Sequence, residues 1–340
     1  MEAVSIDQLD RQIIHALIVD GRAPFSRIAA VVGVSEQTVA RRYRRMHAAG
    51  IVRVAGLPDS QRFGQSDWVV RLQCVPDAAA GVASALARRA DTTWVSLMSG
   101  GTEISCVVKP AGSHSRHDLL LRQLPGSRRI VSISAQSILH VFRGGASHWP
   151  GASKALTPEQ EAMLATAPGV PGPPAAAPYP RSELGPEDRI LLAELARDGR
   201  ASYAEIASAV HWHESTVRRR VEELRAAGIL YLDVDIDASA FGINTHAGLY
   251  LSVAPARLAD AGGAIAQHPE VPFVAATSGK SNLIATVLCR DDYDLYRYLT
   301  ERIAGLDGVT ALEAALIIRT AKRAAAVLEP ERSSEPAPAA

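Results

Sequence analysis

The sequence predicts an α+β chain built twice from one two-part unit, a helical bundle followed by a βαββαβ segment. Three observations predict it. First, the chain repeats itself at an offset of 178: Asp20-Gly21-Arg22 recurs as Asp198-Gly199-Arg200, Ile28-Ala29 as Ile206-Ala207, Thr38-Val39 as Thr216-Val217, Arg41-Arg42 as Arg219-Arg220, and Ala48-Ala49-Gly50-Ile51 as Ala226-Ala227-Gly228-Ile229. Second, within each copy the apolar spacing changes from a helical period to a strand period. Third, eight of the 20 prolines lie between Pro150 and Pro180, and Gly169 to Pro180 is almost wholly Gly, Pro, Ala and Val. Such a composition makes a semi-rigid, extended linker. Within it, Thr157 before Pro158 and Glu159 predicts one short helix, with Thr as N-cap and Pro at the first position.

At 340 residues the chain is long enough for several cores, and 47% hydrophobic with 21% charged residues describes a globular protein. Lys plus Arg equals Asp plus Glu at 36 each, so a nucleic-acid surface must come from local charge placement. Cys74, Cys106 and Cys289 each sit in an apolar run, the pattern of buried thiols in a reducing cytosol. With no apolar run of membrane length and no signal pattern from Met1 to Asp10, a cytoplasmic protein with no membrane partner is expected.

In the first copy, Ile6, Leu9, Ile13 and Leu17 form one stripe of a helix from Ser5 to Val19, which Asp20-Gly21-Arg22 stops. A short second helix turns Ile28, Ala29 and Val32 inward, and Gly33 breaks it. Ser35 caps a third helix that buries Val39, Tyr43 and Met46 and ends at Gly50. A short helix, a tight Gly turn and a longer helix make a helix-turn-helix, whose third helix fits a B-DNA major groove. The exposed face carries Glu36, Gln37, Arg41, Arg44 and Arg45; Gln and Arg can pair with adenine and guanine edges, and Arg near the C-terminal end can reach phosphates. A solvated basic face on an ordinary bundle would explain the arginines alone. Recurrence of the whole pattern near His211 to Gly228 favours DNA.

In the second copy Pro186 opens the first helix, Leu191, Leu192 and Leu195 face inward, and Val217, Val221 and Leu224 form the buried row of the third. His211 stands where the turn glycine was and His213 where the serine cap was. These two lack further ligands nearby, so no metal is expected. Charge differs too. From Ser5 to Ala55 eight arginines face four carboxylates, net +4, while from Glu183 to Leu230 seven face nine, net −2, with Glu222 and Glu223 in place of Arg44 and Arg45. The two copies are therefore expected to be unequal readers.

After each bundle the order is βαββαβ: Trp68 to Val75, Ala78 to Arg89, Thr93 to Ser99, Glu103 to Val108, His114 to Gln123 and Ile130 to Leu139, then Gly248 to Val253, Pro255 to Gln267, Phe273 to Thr277, Leu283 to Leu288, Asp291 to Ile303 and Thr310 to Ile318. Such a unit folds as a four-stranded antiparallel sheet with both helices on one face, and the open face needs a partner, which the other copy or another chain can supply. One chain should then be a pseudo-dimer. The turns Ser99-Gly100-Gly101-Thr102-Glu103 and Ser278-Gly279-Lys280-Ser281-Asn282 expose backbone N–H groups able to hold a carboxylate, and Glu103 suits an ammonium group. A plain hairpin turn explains the glycines equally well.

These residues resemble the leucine-responsive regulator/AsnC family of transcription factors. The carriers are Leu9-Asp10, Asp20-Gly21-Arg22, Ile28-Ala29, Val34-Ser35, Val39-Ala40-Arg41-Arg42 and Gly50-Ile51, followed by the βαββαβ unit; they cover Ile6 to about Phe142 and again Glu183 to about Arg319. The resemblance implies winged helix-turn-helix DNA readers alternating with ferredoxin-like ligand-sensing domains that dimerise through their sheets, in the less common tandem form. It implies domains at 1–55, 65–143, 183–232 and 245–322, while composition alone makes 144–182 a linker and 329–340, rich in Pro, Ala, Ser and charge, a disordered tail. It implies double-stranded DNA as partner, read by Ser35, Glu36, Gln37, Thr38, Arg41, Arg42, Arg44 and Arg45 and by Ser215, Thr216, Arg218, Arg219 and Arg220. It also implies a small-molecule effector, an amino acid or relative, held by the two turns, and homo-oligomers of pseudo-dimeric chains. The family's turn often reads Gly-x-x-Asp; Gly100 with Glu103 keeps a carboxylate, and Gly279 with Asn282 does not. No cofactor and no enzymatic activity are implied. The competing function is a sirohaem decarboxylase of similar two-module architecture; His114, His117, His140, His246 and His268 lie near the sandwiches but in no matching places.

Overall fold

The computed structural model describes residues 5–63, 65–109, 124, 126–144, 149–152, 154–165, 184–324 and 326–328. The expected helix from His114 to Gln123, the linker from 166 to 183 and the tail from 329 lie outside the described residues. In chain order the elements are α1 (Gln8–Val19), α2 (Phe25–Val32), α3 (Glu36–Ala48), β1 (Val52–Pro58), β2 (Trp68–Cys74), α4 (Ala79–Ala87), β3 (Thr92–Met98), β4 (Glu103–Val108), β5 (Ile130–Arg143), α5 (Pro158–Leu164), α6 (Pro186–Arg197), α7 (Tyr203–Val210), α8 (Glu214–Ala226), β6 (Leu230–Ile236), β7 (Thr245–Val253), α9 (Leu258–Ile265), β8 (Phe273–Thr277), β9 (Leu283–Cys289), α10 (Asp292–Arg297), β10 (Val309–Arg323) and β11 (Ala326–Val327). The chain divides into two compact units, residues 1–67 with 136–316, and residues 68–135 with 317–340.

The larger unit holds both helix-turn-helix bundles. α1 starts after Asp7 rather than at Ser5, because Asp7 and Asp10 form a reciprocal capping box that satisfies two otherwise orphaned N–H groups. Ile13, Ile14, Leu17, Ile28, Val39 and Met46 form the first core, and Leu191, Leu195, Ile206, Val217, Val221 and Leu224 the second. The strands β1 and β6 are the wings that the family resemblance implies, but their pairing with each other was not expected. They pair antiparallel along their whole length, Val52 opposite Ile236 through Pro58 opposite Leu230, so the wing of one copy is completed by the wing of the other.

Asp20-Gly21-Arg22 and its repeat do more than stop a helix. Arg22 donates to the carbonyls of Gly199 (2.7 Å) and Ala201 (2.8 Å), and Arg200 donates to those of Gly21 (2.7 Å) and Ala23 (3.0 Å). Arg22 also lies over the Tyr203 ring and Arg200 over Phe25, at 4.5 and 4.4 Å. Every contact recurs at the repeat offset, which is the signature of an internal two-fold axis. Glycine is required because each turn presses on the ribbon: a Cβ at Gly21 would sit 2.9 Å from Val54 Cγ1, and one at Gly199 3.0 Å from the Val54 carbonyl carbon. Two further bonds repeat the symmetry, Asp59 N–H to Ile229 O and Asp237 N–H to Ile51 O, both 2.9 Å.

The linker helix α5 has the expected Thr157 cap, completed by Gln160. It docks on the first bundle, where Leu156 and Leu164 join the core. His15, only 2% exposed, is the peg. Its Nδ1 accepts from the N–H groups of Leu156 (2.9 Å) and Ala155 (3.3 Å), which puts the ring proton on Nε2, 3.1 Å from Glu161.

The βαββ order holds in both sandwiches, but the last strands are longer than expected and are shared. In the larger unit the strand order is β5-β8-β9-β7-β10, with Ile138 of β5 opposite Thr277 and Leu312 of β10 opposite Leu251. In the smaller unit it is β11-β10-β3-β4-β2-β5, with Ile317 of β10 opposite Met98. Each final strand thus begins beside its own copy and ends beside a strand of the other, Ile138 matching Ile317 and Thr277 matching Met98. Val70, Leu72, Val95, Ile104 and Cys106 pack under α4 in the smaller unit, and Leu249, Leu251, Ile265, Leu283 and Val287 form the corresponding core of the larger.

Candidate nucleic-acid interface

The first reader is built from the turn outward. Gly33 takes the left-handed conformation (φ +76°) and closes α2 by donating to Ala29 O at 2.9 Å. Ser35 then caps α3, accepting from Thr38 N–H at 3.2 Å while its hydroxyl meets that of Thr38 at 2.9 Å. Val39, Tyr43 and Met46 are buried, and burial pushes the Tyr43 hydroxyl up to about 12. Glu36, Gln37, Arg41, Arg44 and Arg45 face solvent.

Among the expected contact residues, Arg42 turns back into the bundle, and Arg45 reaches a carboxylate of the first helix while staying exposed. Arg42 reaches Asp7 at 2.6 Å and Asp10 at 3.0 Å, and Arg45 also pairs with Asp10. Asp10 is fully buried, and a buried carboxylate without such partners would be costly. The Arg42 guanidinium holds the Asp7 carboxyl below its usual range. Arg44 donates to Ala40 O one turn earlier, at 3.2 Å, and stays exposed. Among the described residues Arg41 and Arg44 have no carboxylate partner.

The second reader has the same backbone with different side chains. His211 adopts the left-handed conformation (φ 57°) that Gly33 takes in the first copy, and donates its N–H to Ala207 O. His213 occupies the cap position without a side-chain bond to the helix. Arg220 repeats Arg42 by clasping Asp188 through two 2.8 Å bonds, which hold the Asp188 carboxyl low. Arg218 lies 3.5 Å from Glu214, Arg219 lies 3.7 Å from Glu223, and Arg220 also reaches Glu223 at 3.1 Å. Ser215 is exposed and Thr216 half-buried.

The two sandwich turns also differ. In the first, Ser99, Gly100 and Gly101 are all left-handed, and Glu103 is buried, paired with Arg71 and accepting from Ser99 Oγ at 2.9 Å. Thr102 Oγ1 donates to Ser99 O at 3.1 Å. In the second, Asn282 splices β9 to β7, donating to Val253 O and accepting from Val253 N–H, both at 2.8 Å. Ser278 pairs with Ser137 of β5, Thr277 Oγ1 donates to Ser281 O, and Lys280 O accepts from Ser252 Oγ, while Gly279 lies under the Gln136 side chain. A carboxylate is kept only in the first turn, where Arg71 and Ser99 already hold it.

Sequence reasoning missed Arg22 and Arg200 as the clamps of the two-fold axis, although their duplication was visible, and missed Asp10 and Asp188 as buried anchors. A carboxylate on the apolar stripe of a first helix was the available signal. Of the histidines, His140 stacks edge-on against Phe142 at 4.6 Å, and His268 Nδ1 lies 2.9 Å from the Tyr298 hydroxyl. His114 and His117 lie outside the described residues. Among the described residues no group of three or more His, Cys, Asp or Glu is placed to hold a metal, and no helix is long and apolar enough to cross a membrane.

Residues 6–47 and 188–225 match the AsnC-type helix-turn-helix domain, and residues 249–327 match the Lrp/AsnC ligand binding domain. An uncharacterised HTH-type transcriptional regulator of Pyrococcus horikoshii is 30% identical over 141 residues, 41% of this chain and 89% of that protein. The HTH-type transcriptional regulator LrpA of the same organism is 27% identical over 136 residues, 40% of this chain and 96% of that protein. Each match thus spans most of the relative and less than half of this chain. Among solved structures, the siroheme decarboxylase NirDL superposes with a TM-score of 0.62 over 93% of both chains at 14% identity, a likeness of fold.

Proposed function

Because the chain belongs to the leucine-responsive regulator/AsnC family of transcription regulators, we propose that it binds double-stranded DNA through its helix-turn-helix pair and that a small molecule modulates this binding. The observation that carries the reading is α3: a Ser-capped helix, fixed on its bundle by Arg42 and Asp10, that turns Gln37, Arg41 and Arg44 to solvent. Gln37 and Arg41 have the donor pattern for base edges, and Ser35, Thr38, Arg44 and Arg45 suit phosphates. Arg42 and Arg220 serve first as pins of the bundles. On α8, Ser215, Thr216, Arg218 and Arg219 occupy the matching positions.

The effector is an amino acid or a related metabolite held at the Gly100 turn, where Glu103 answers an ammonium group and left-handed backbone N–H groups answer a carboxylate. The domains run over 1–55, 65–143, 183–232 and 245–322, joined by 144–182. The chain works in the cytoplasm, without enzymatic activity, as homo-oligomers of internally paired chains. Selection of fragments from the source genome by the full chain tests the reading: recovered duplexes should be retained in gel shifts and released by Arg41→Ala. A second reading, a tetrapyrrole enzyme, rests on the two-module likeness of fold. Tight, saturable binding of an iron tetrapyrrole in an ultraviolet-visible titration, with no duplex retained, would favour it.

A further inference from the structure

The two third helices are presented alike. Clamps at Arg22 and Arg200, pins at Arg42–Asp10 and Arg220–Asp188, and the ribbon of β1 with β6 all obey the internal two-fold axis. Any difference between the readers must therefore come from side chains. At matched positions α3 has Gln37, Ala40, Arg41, Arg44 and Arg45 where α8 has Ser215, Arg218, Arg219, Glu222 and Glu223.

Exposed arginines gain affinity for DNA by displacing condensed counterions from phosphates. Arg41 and Arg44 are exposed, with no carboxylate partner among the described residues, and are available for this. On α8 each arginine already lies near a carboxylate, Arg218 near Glu214, Arg219 near Glu223 and Arg220 near Glu223 and Asp188. Glu222 and Glu223 are themselves exposed and would face phosphates with like charge. The second helix also lacks the serine cap that fixes the N-terminal turn of the first.

We infer that this internally paired chain reads DNA from one side: α3 supplies the base and phosphate contacts, and α8, in the same pose, supplies none of the ionic affinity. The partner is then a duplex with one specific half-site per chain. This inference rests on the DNA-binding reading above.

The test is fluorescence anisotropy of the full chain on a labelled mixed-sequence duplex of about 30 bp, long enough for three helical turns, across a salt series. Arg44→Ala should reduce the slope of log K against log salt by about 1, the share of one phosphate contact. Glu222→Arg should steepen it by about 1, and Arg219→Ala should leave it unchanged. On a genomic fragment selected by the full chain, Arg41→Ala should weaken binding by about 5- to 150-fold and Arg219→Ala by less than twofold. Equal losses from Arg41→Ala and Arg219→Ala, or no steepening with Glu222→Arg, would overturn one-sided reading while leaving DNA binding intact. If the wild-type chain binds no duplex at low salt, the DNA-binding reading itself fails, and one-sided reading with it.

Discussion

The first and second helix-turn-helix bundles have the same backbone and different surroundings. Both keep the Asp-Gly-Arg clamp, the buried carboxylate on the first helix and the arginine that pins it. Only the first has the Gly turn, the Ser cap and the linker helix α5, which covers His15; the position matching His15 is Ala193, which is exposed. The clamp repeats because each half must answer its own image across the two-fold axis, and the pins repeat because each bundle must hold its own third helix. Features that differ face solvent or the linker, where one copy can change without the other. A tandem chain can thus retain dimer architecture while its two reading faces diverge.

Breaking the shared part should cost most. Arg200 is half-buried over Phe25, and burial lowers its pKa. Arg200→Ala removes two bonds to carbonyls and should lower unfolding free energy by about 3 kcal/mol, and Arg22→Ala by a similar amount, in denaturant melts. A large difference between them would break the symmetry argument. Next, Arg220→Ala should cost about 2 kcal/mol at neutral pH by leaving Asp188 buried and unpaired. Because Arg220 lowers the folded-state pKa of Asp188, the stabilisation is present above the ordinary value of 3.8 and fades as pH falls through the folded value. The variant should therefore be relatively insensitive to acid at that site.

The linker helix sharpens the contrast. Burial holds the His15 pKa below its ordinary 6.5, with Glu161 opposing the shift. The unfolded chain then binds the proton first, so stability is full above about 6.5 and falls as the pH drops below it. Protonation of Nδ1 would also cancel its acceptance from Ala155 and Leu156. His15→Ala should cost about 1–2 kcal/mol and flatten that acid-side loss, with hydrogen exchange rising over α5 and α1 and not over α6. The last contrast concerns the turns. An amino acid bound at Glu103 at a hundredfold excess over Kd would add about 2.7 kcal/mol, which Glu103→Ala should abolish in thermal-shift assays. Asn282→Ala should leave the ligand shift intact while lowering basal stability by about 1–2 kcal/mol, because it unpairs the Val253 backbone.

The helices of both bundles were legible because their apolar spacing, caps and glycines are local. The start of α1 moved to Gln8 because Asp7, not Ser5, forms the capping box. The wing strands β1 and β6 came from the family resemblance and not from local pattern, and their pairing was hidden because each strand's partner lies about 178 residues away, so no hairpin turn announced it. The exchange of final strands was hidden for the same reason: local pattern ended these strands at Leu139 and Ile318, short of the 14 and 15 residues that β5 and β10 have. At the candidate site, exposure of Gln37, Arg41 and Arg44 was legible from helical periodicity. The recruitment of Arg42, Arg45 and Arg220 by buried carboxylates was not, because periodicity says which face a residue occupies and not which partner it finds across the bundle.

The most direct test of the account is a hydroxyl-radical footprint, with base-modification interference, of the full chain on a genomic fragment it selects. One structural dimer with one chemical reader predicts strong protection and base interference over a single half-site, and weak or absent interference one helical turn away. Equal protection and interference over two halves of a palindrome would contradict it.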